Sequence, residues 1–246
     1  SNLSKATVIK ENEKASDAAY MQAYLLGEQK HYSLAQEYLN TAINSTTPSM
    51  PKAYKDHLYL LAGDYAILNK DKSQAKKRYE SAAKSGSDYA TMQLANIAKS
   101  ENDVFTRIYL LESLTENYPD SKYIQQSYFE LGESHLQLNK IEKAITLYEK
   151  AVNHTKVPTT LTYESQLRLG LSYYNLGMLD KAESAYEFVA ESCPNGGQKL
   201  IALNALKEIY LDDKGDADSY FEFVENKTDV KLDGVEKDSI AYSVGH

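Results

Sequence analysis

"SYFELGESHLQLNKIEKAITLYEKAV" (Ser127–Val152) and "ESQLRLGLSYYNLGMLDKAESAYEFVA" (Glu164–Ala190) carry one spacing of small and large residues. Ala144 and Ala182 lie 38 residues apart, and each has a glycine twelve positions earlier, Gly132 and Gly170. Leu131 and Leu169 precede those glycines, and Tyr148 and Tyr186 follow the alanines by four. Helices approach as closely as the side chains between them allow. Small residues at fixed offsets therefore mark where a neighbouring helix crosses.

The same ruler extends along the chain. Ala75 has Gly63 twelve before it, Tyr79 four after and Ala82 seven after. Ala35 has Ala23, Leu39 and Ala42 at those offsets. A weaker unit lies between them and the opening pair. Leu94 and Ala95 fit its first half and Pro119 its end, but Arg107 stands where alanine is expected, followed by Leu111 and Leu114. A sixth stretch, "LIALNALKEIYLDDKGDADSYFEFV" (200–224), has the outline of two helices joined at Lys214-Gly215-Asp216 without the glycine and alanine signature.

The pattern Leu-Gly, then Ala-x3-aromatic, then Pro (Pro194 in the second stretch) resembles the tetratricopeptide repeat. The resemblance implies an all-α fold, a right-handed α-solenoid of about six antiparallel helix hairpins, each with a helix A and a helix B. The expected hairpins are 16–49, 54–86, 87–121, 122–157, 160–196 and 198–226. Residues 1–15 read as a leader with some helical tendency. Residues 227–246 read as a polar tail in which "EKDSIAYSVGH" has the character of a truncated next repeat. Gly63, Gly132 and Gly170 on helix A, with Ala35, Ala75, Ala144 and Ala182 on helix B, are expected to let the two backbones meet. Ala151 is expected to let helix B reach the next hairpin. Pro51 reads as the first residue of a helix and Ser87-Asp88 as an N-cap. Arg107 leaves two readings open: a kinked repeat, or an arginine turned to solvent after a register shift.

Register also carries over the family's concave positions. They give Tyr20 and Tyr24 in the first repeat, Leu60 and Asp64 in the second, and Met92 and Asn96 in the third. The fourth offers Phe129 and Glu133, and the fifth Leu167, Leu171 and Tyr174. None of these is basic, so the lysine-and-arginine clamp that grips a peptide's C-terminal carboxylate is not expected. An apolar, aromatic groove with acidic edges suits an amphipathic helix or an extended apolar segment of a protein partner. The same residues could instead pack against a neighbouring repeat or be covered by a terminal helix.

Composition narrows the function classes. The 246 residues carry a net charge of −8, which argues against a nucleic-acid binder that needs a dense basic face. No apolar run approaches the roughly 20 residues that span a bilayer, so a membrane-spanning chain is not expected. Ser1-Asn2-Leu3 has neither the basic nor the apolar stretch of a signal peptide and reads as a tag scar or the cut end of a longer chain. Cys193, the single cysteine, cannot form an internal disulfide and reads as a small residue at a helix end. No phosphate loop, nucleophile elbow or zinc motif is present, so neither catalysis nor a cofactor is expected. His135 reads as a packing residue. "DDKGDADSYFE" is acidic but lacks calcium-loop spacing. The stretch from "YPDS" (118–121) through Val152 resembles repeat modules of Gram-negative cell-envelope proteins. That likeness implies a scaffold in a larger assembly, in the periplasm or envelope rather than the cytoplasm. The alternative is a regulatory module of a catalytic or sensor protein. Oligomeric state is not readable.

Overall fold

The computed structural model describes residues 2–231, 233–235 and 237–238. Among them are twelve α-helices, one π-helical turn and no strand. The fold is an all-α helical-repeat solenoid, built as two units, Ser1–Tyr123 and Ile124–His246.

The first unit contains α1 (Asn2–Glu28), α2 (Tyr32–Asn44), α3 (Lys52–Leu68), α4 (Lys72–Lys84), α5 (Asp88–Ser100) and α6 (Val104–Asn117). Helix α1 is 27 residues long and runs straight through residues expected to form a separate leader. Neither proline nor glycine interrupts it before Gly27, so nothing in the chain stops the helix at residue 15. Its middle is also tied down. Ser16 Oγ donates to the Ala42 carbonyl at 2.8 Å, and Glu13 accepts from Thr47 at 3.0 Å and Ser49 at 2.7 Å. The Ser49 and Thr47 hydroxyls hold the Glu13 carboxyl below its usual range. Pro51 is the residue before α3 rather than its first, with extended backbone; the ring still fixes its φ at −55°. Ser87 caps α5 through a 3.1 Å bond from the Ala90 amide.

The second unit contains α7 (Ile124–Gln137), α8 (Ile141–Asn153), α9 (Thr160–Asn175), α10 (Leu179–Ser192), α11 (Gly196–Glu208), a π-helical turn (Ile209–Asp213) and α12 (Ala217–Lys227). The loop between α8 and α9 is pinned from inside. Buried Gln125 donates to the Ala151 carbonyl at 3.0 Å and accepts from Thr159 at 2.9 Å, while Thr159 caps α9. The further helix expected within Glu236–His246 falls, but for Lys237 and Asp238, outside the described residues.

Every hairpin turns the same way. The residue five before the helix-B small position has left-handed backbone: Lys30, Lys70, Asn102, Asn139 and Gly177, with φ between 56° and 70°. Gly215 takes that conformation in the sixth hairpin, five before buried Tyr220. The residue that follows opens helix B. Asp71, Asp103 and Asp216 cap it with their side chains, each accepting a backbone amide three residues on.

Inside the hairpins the alanines and the glycines play different parts. Ala35, Ala75, Ala144, Ala151 and Ala182 are fully buried. The space over each glycine, however, is filled by the tyrosine sixteen residues later. A Cβ added at Gly63 would come within 2.5 Å of the Tyr79 ring, at Gly132 within 2.5 Å of Tyr148, and at Gly170 within 2.6 Å of Tyr186. Real Cβ atoms essentially never come that close, so these positions exclude even alanine unless the ring moves. Arg107 is 5% exposed, which overturns the solvent-facing reading. Ala95, Leu111 and Leu114 of the same hairpin are buried as well.

Candidate functional site

The concave positions carried by register fall on α1, α3 and α5 in the first unit and on α7 and α9 in the second. In the first, Tyr20 is half-buried. Its ring lies edge-on to Tyr54 at 6.2 Å and to His57 at 5.5 Å, and its hydroxyl is 3.2 Å from His57 Nε2. Tyr24, 6.5 Å away, stands 45% exposed. Leu60, Asp64 and Asn96 are half-buried. Met92 is only 1% exposed and cannot meet a ligand. Helix α5 buries Ala90, Thr91, Met92, Leu94, Ala95, Ile97 and Ala98, so it is covered nearly all round.

Asp64 is the most constrained of these groups. Its Oδ1 accepts the Tyr79 hydroxyl and the Tyr89 hydroxyl, each at 2.7 Å. The two rings meet edge to face at 6.2 Å. Burial, and then the bonds to Asp64, push both phenols well above the usual tyrosine range, so they remain donors.

In the second unit Glu133 occupies the same register, directly after its glycine. It accepts the Tyr148 hydroxyl at 2.5 Å. Arg168 from α9 reaches it with Nε at 2.8 Å from Oε1 and a terminal nitrogen at 3.2 Å from Oε2. Phe129 lies 5.8 Å from the Tyr148 ring, and Leu167 is half-buried. Leu171 is 40% exposed. Tyr174 points its hydroxyl at Glu208 on α11, at 3.3 Å. The hydrogen bond to Asp213 is the main reason its phenol is pushed up to about 12. Arg168 and Glu208 were not offered by register, whereas Tyr89 holds a groove-register position of the third repeat. They lie on the neighbouring A helices, and only the contacts between repeats bring them in.

A separate concavity lies elsewhere. About 600 Å3 between α2, α3 and α4 is lined by polar groups such as Gln36, Asn40, Asn69 and Arg78, and by none of the groove candidates. Those groups satisfy one another: Arg78 bonds Asn40, and Asn69 donates to Gln36 at 3.0 Å. No group of three or more histidine, cysteine, aspartate or glutamate side chains suited to a metal occurs among the described residues. Within 212–222, Asp216 caps α12, and Lys214 pairs with Glu183. His135 and Cys193 are buried, with Cys193 Sγ 3.1 Å from Gln198 Oε1. No described helix is long and apolar enough to cross a membrane.

Tetratricopeptide-repeat family models match residues 125–153 and 164–196. No curated protein sequence matches significantly. Among solved structures, a tetratricopeptide repeat protein from Parabacteroides merdae is similar at 12% identity. The match covers 95% of this chain and 100% of that one, with a TM-score of 0.61. Pseudomonas aeruginosa pilF is similar at 15% identity over 94% and 99% of the two chains, with a TM-score of 0.57. YrrB, described as a TPR protein with an unusual peptide-binding site, is similar at 16% identity over 82% and 97%, with a TM-score of 0.54.

Proposed function

We propose that this chain, which belongs to the tetratricopeptide-repeat family, is a non-enzymatic scaffold that binds a peptide or helix of another protein along the exposed faces of its A helices. The fold itself is that of a protein-interaction scaffold. The observation that carries the finer reading is that each unit leaves an apolar or aromatic side chain open at a register position of an A helix, Tyr24 on α1 in the first and Leu171 on α9, beside the half-buried Tyr174, in the second. Each unit also carries a carboxylate at groove register, Asp64 in the first and Glu133 in the second, and such surfaces suit a partner with an apolar core and polar flanks. The likeness of the repeat modules to those of cell-envelope proteins supports a place in an envelope assembly.

The test is a cross-linked capture from envelope and soluble fractions of the source cell, comparing wild type with Leu171→Glu/Tyr174→Ala. A partner held by wild type and lost by the folded variant is the expected result, and the fraction it comes from gives the compartment. Equal capture by both folded proteins would move the binding surface away from α9.

A further inference from the structure

We propose that Asp64 receives the cationic head of a lysine or arginine side chain in the bound peptide. The inference rests on the groove reading above and names one element of the ligand.

The molecule contains its own reference for this register. Glu133 and Asp64 each follow a helix-A glycine, and each accepts the hydroxyl of the tyrosine fifteen residues on. The next A helix then supplies a second contact in both cases. For Glu133 it is Arg168, whose guanidinium meets both carboxylate oxygens. For Asp64 it is Tyr89, a neutral donor that bonds the same oxygen Tyr79 already uses. Asp64 Oδ2 accepts no hydrogen bond from any described residue. The residue of α5 at the register of Arg168, two before the small position, is half-buried Gln93. Among the described residues, one of these two carboxylates therefore meets a cation and the other does not.

The surroundings select for an organic cation on an aliphatic stem. Leu60 and Tyr89 pack at the edge of the same apolar cluster, and Tyr89 stands 6.1 Å from Tyr123. Aromatic rings beside a carboxylate favour lysine or arginine through their π faces, while the methylenes cover the leucine. The first unit adds exposed Asp17 and Glu28 on α1, and the whole chain carries −8, so approach of a basic segment is favoured. A metal ion fits poorly, because a single carboxylate supplies too few hard ligands.

The test begins with a displayed library of random dodecapeptides selected on the full chain. Peptides selected on wild type are expected to share a lysine or arginine at one fixed place. Replacing that residue by norleucine should weaken binding roughly ten- to hundredfold on wild type. On Asp64→Asn, which keeps an oxygen acceptor for both phenols, the same replacement should change affinity less than about twofold. Gln93→Arg provides a second arm that does not touch the carboxylate. It supplies the cation from within, as Arg168 does, and is expected to weaken the basic peptide about tenfold. Peptides that bind without a fixed basic residue, or whose basic residue matters equally in Asp64→Asn and Gln93→Arg, overturn this inference and leave the groove standing. Failure to select any peptide overturns both.

Discussion

Two kinds of hairpin occur in this molecule. In α3/α4, α7/α8 and α9/α10 a tyrosine ring covers a glycine. In α1/α2 and α5/α6 the same positions hold Ala23 with Leu39 and Ala95 with Leu111, all buried. Volume lost on one helix is regained on the other, which is how a close-packed interior accommodates a change of residue. The tyrosine version does more. Its hydroxyl reaches past the glycine to the next residue, which is Asp64 in one hairpin and Glu133 in another. A carboxylate is thereby fixed on the A face. Where leucine stands, the corresponding residues are Tyr24 and Asn96, and no hydroxyl arrives from below. In α9/α10 the residue after the glycine is Leu171, and the Tyr186 hydroxyl has no hydrogen-bond partner among the described residues. That hairpin keeps the packing without the polar link.

The sharpest way to break this comparison is to convert one kind of hairpin into the other. Gly132→Ala is expected to cost ~1–3 kcal/mol by overpacking against Tyr148, and Tyr148→Leu roughly 2–3 kcal/mol through a void and a lost hydrogen bond. Combined, they rebuild the Ala95/Leu111 arrangement and should recover more than about 1 kcal/mol relative to the sum, measured by urea unfolding. Simple additivity would mean the two positions do not share one space. A smaller effect separates tyrosines with and without a carboxylate. Tyr148→Phe is expected to cost about 1–2 kcal/mol, and Tyr186→Phe less than about 0.5 kcal/mol, at neutral pH. Tyr186 titrates higher when folded because burial pushes it up to about 12. Its contribution is complete below the ordinary tyrosine value of about 10 and is lost as pH rises towards 12. Tyr186→Phe should therefore flatten the loss of stability across that alkaline window. The smallest effect lies in the turns. Lys70 holds φ at 62°, where Gly177 of the fifth hairpin is unstrained, so Lys70→Gly should stabilise by up to ~1 kcal/mol in thermal melts.

The hairpins were legible in sequence because close helix crossings tolerate only small residues, and those residues recur at one offset. What filled the space was less legible. The ruler pairs Gly132 with Ala144, twelve residues on, but the ring over that glycine belongs to Tyr148, one helical turn further. A tyrosine at that offset reads as bulk, and its hydroxyl reach to Glu133 depends on geometry between helices. The turn residues were missed for a related reason. Lysine at positions 30 and 70 gives no hint of left-handed backbone, whereas Asn139 and Gly177 at the same offset do. The groove was the least legible part. Register assigns a helix angle but not what covers it, so Met92 and Leu60 share a position while one is sealed in and the other half-open. Arg168 lies outside the carried positions, yet it decides the charge beside Glu133.

The common turn, with its left-handed residue five before the helix-B contact, bears on how the chain acquires this fold. Each hairpin closes through residues near in sequence, and the ring that locks it is only sixteen positions from its glycine. Low contact order of this kind favours rapid folding. Any hairpin can begin the process and its neighbours can add to it, as in a one-dimensional array. Tyr79, Tyr148 and Tyr186 then act as separate latches. Loosening one should raise amide hydrogen exchange in its own hairpin before the change spreads along the unit.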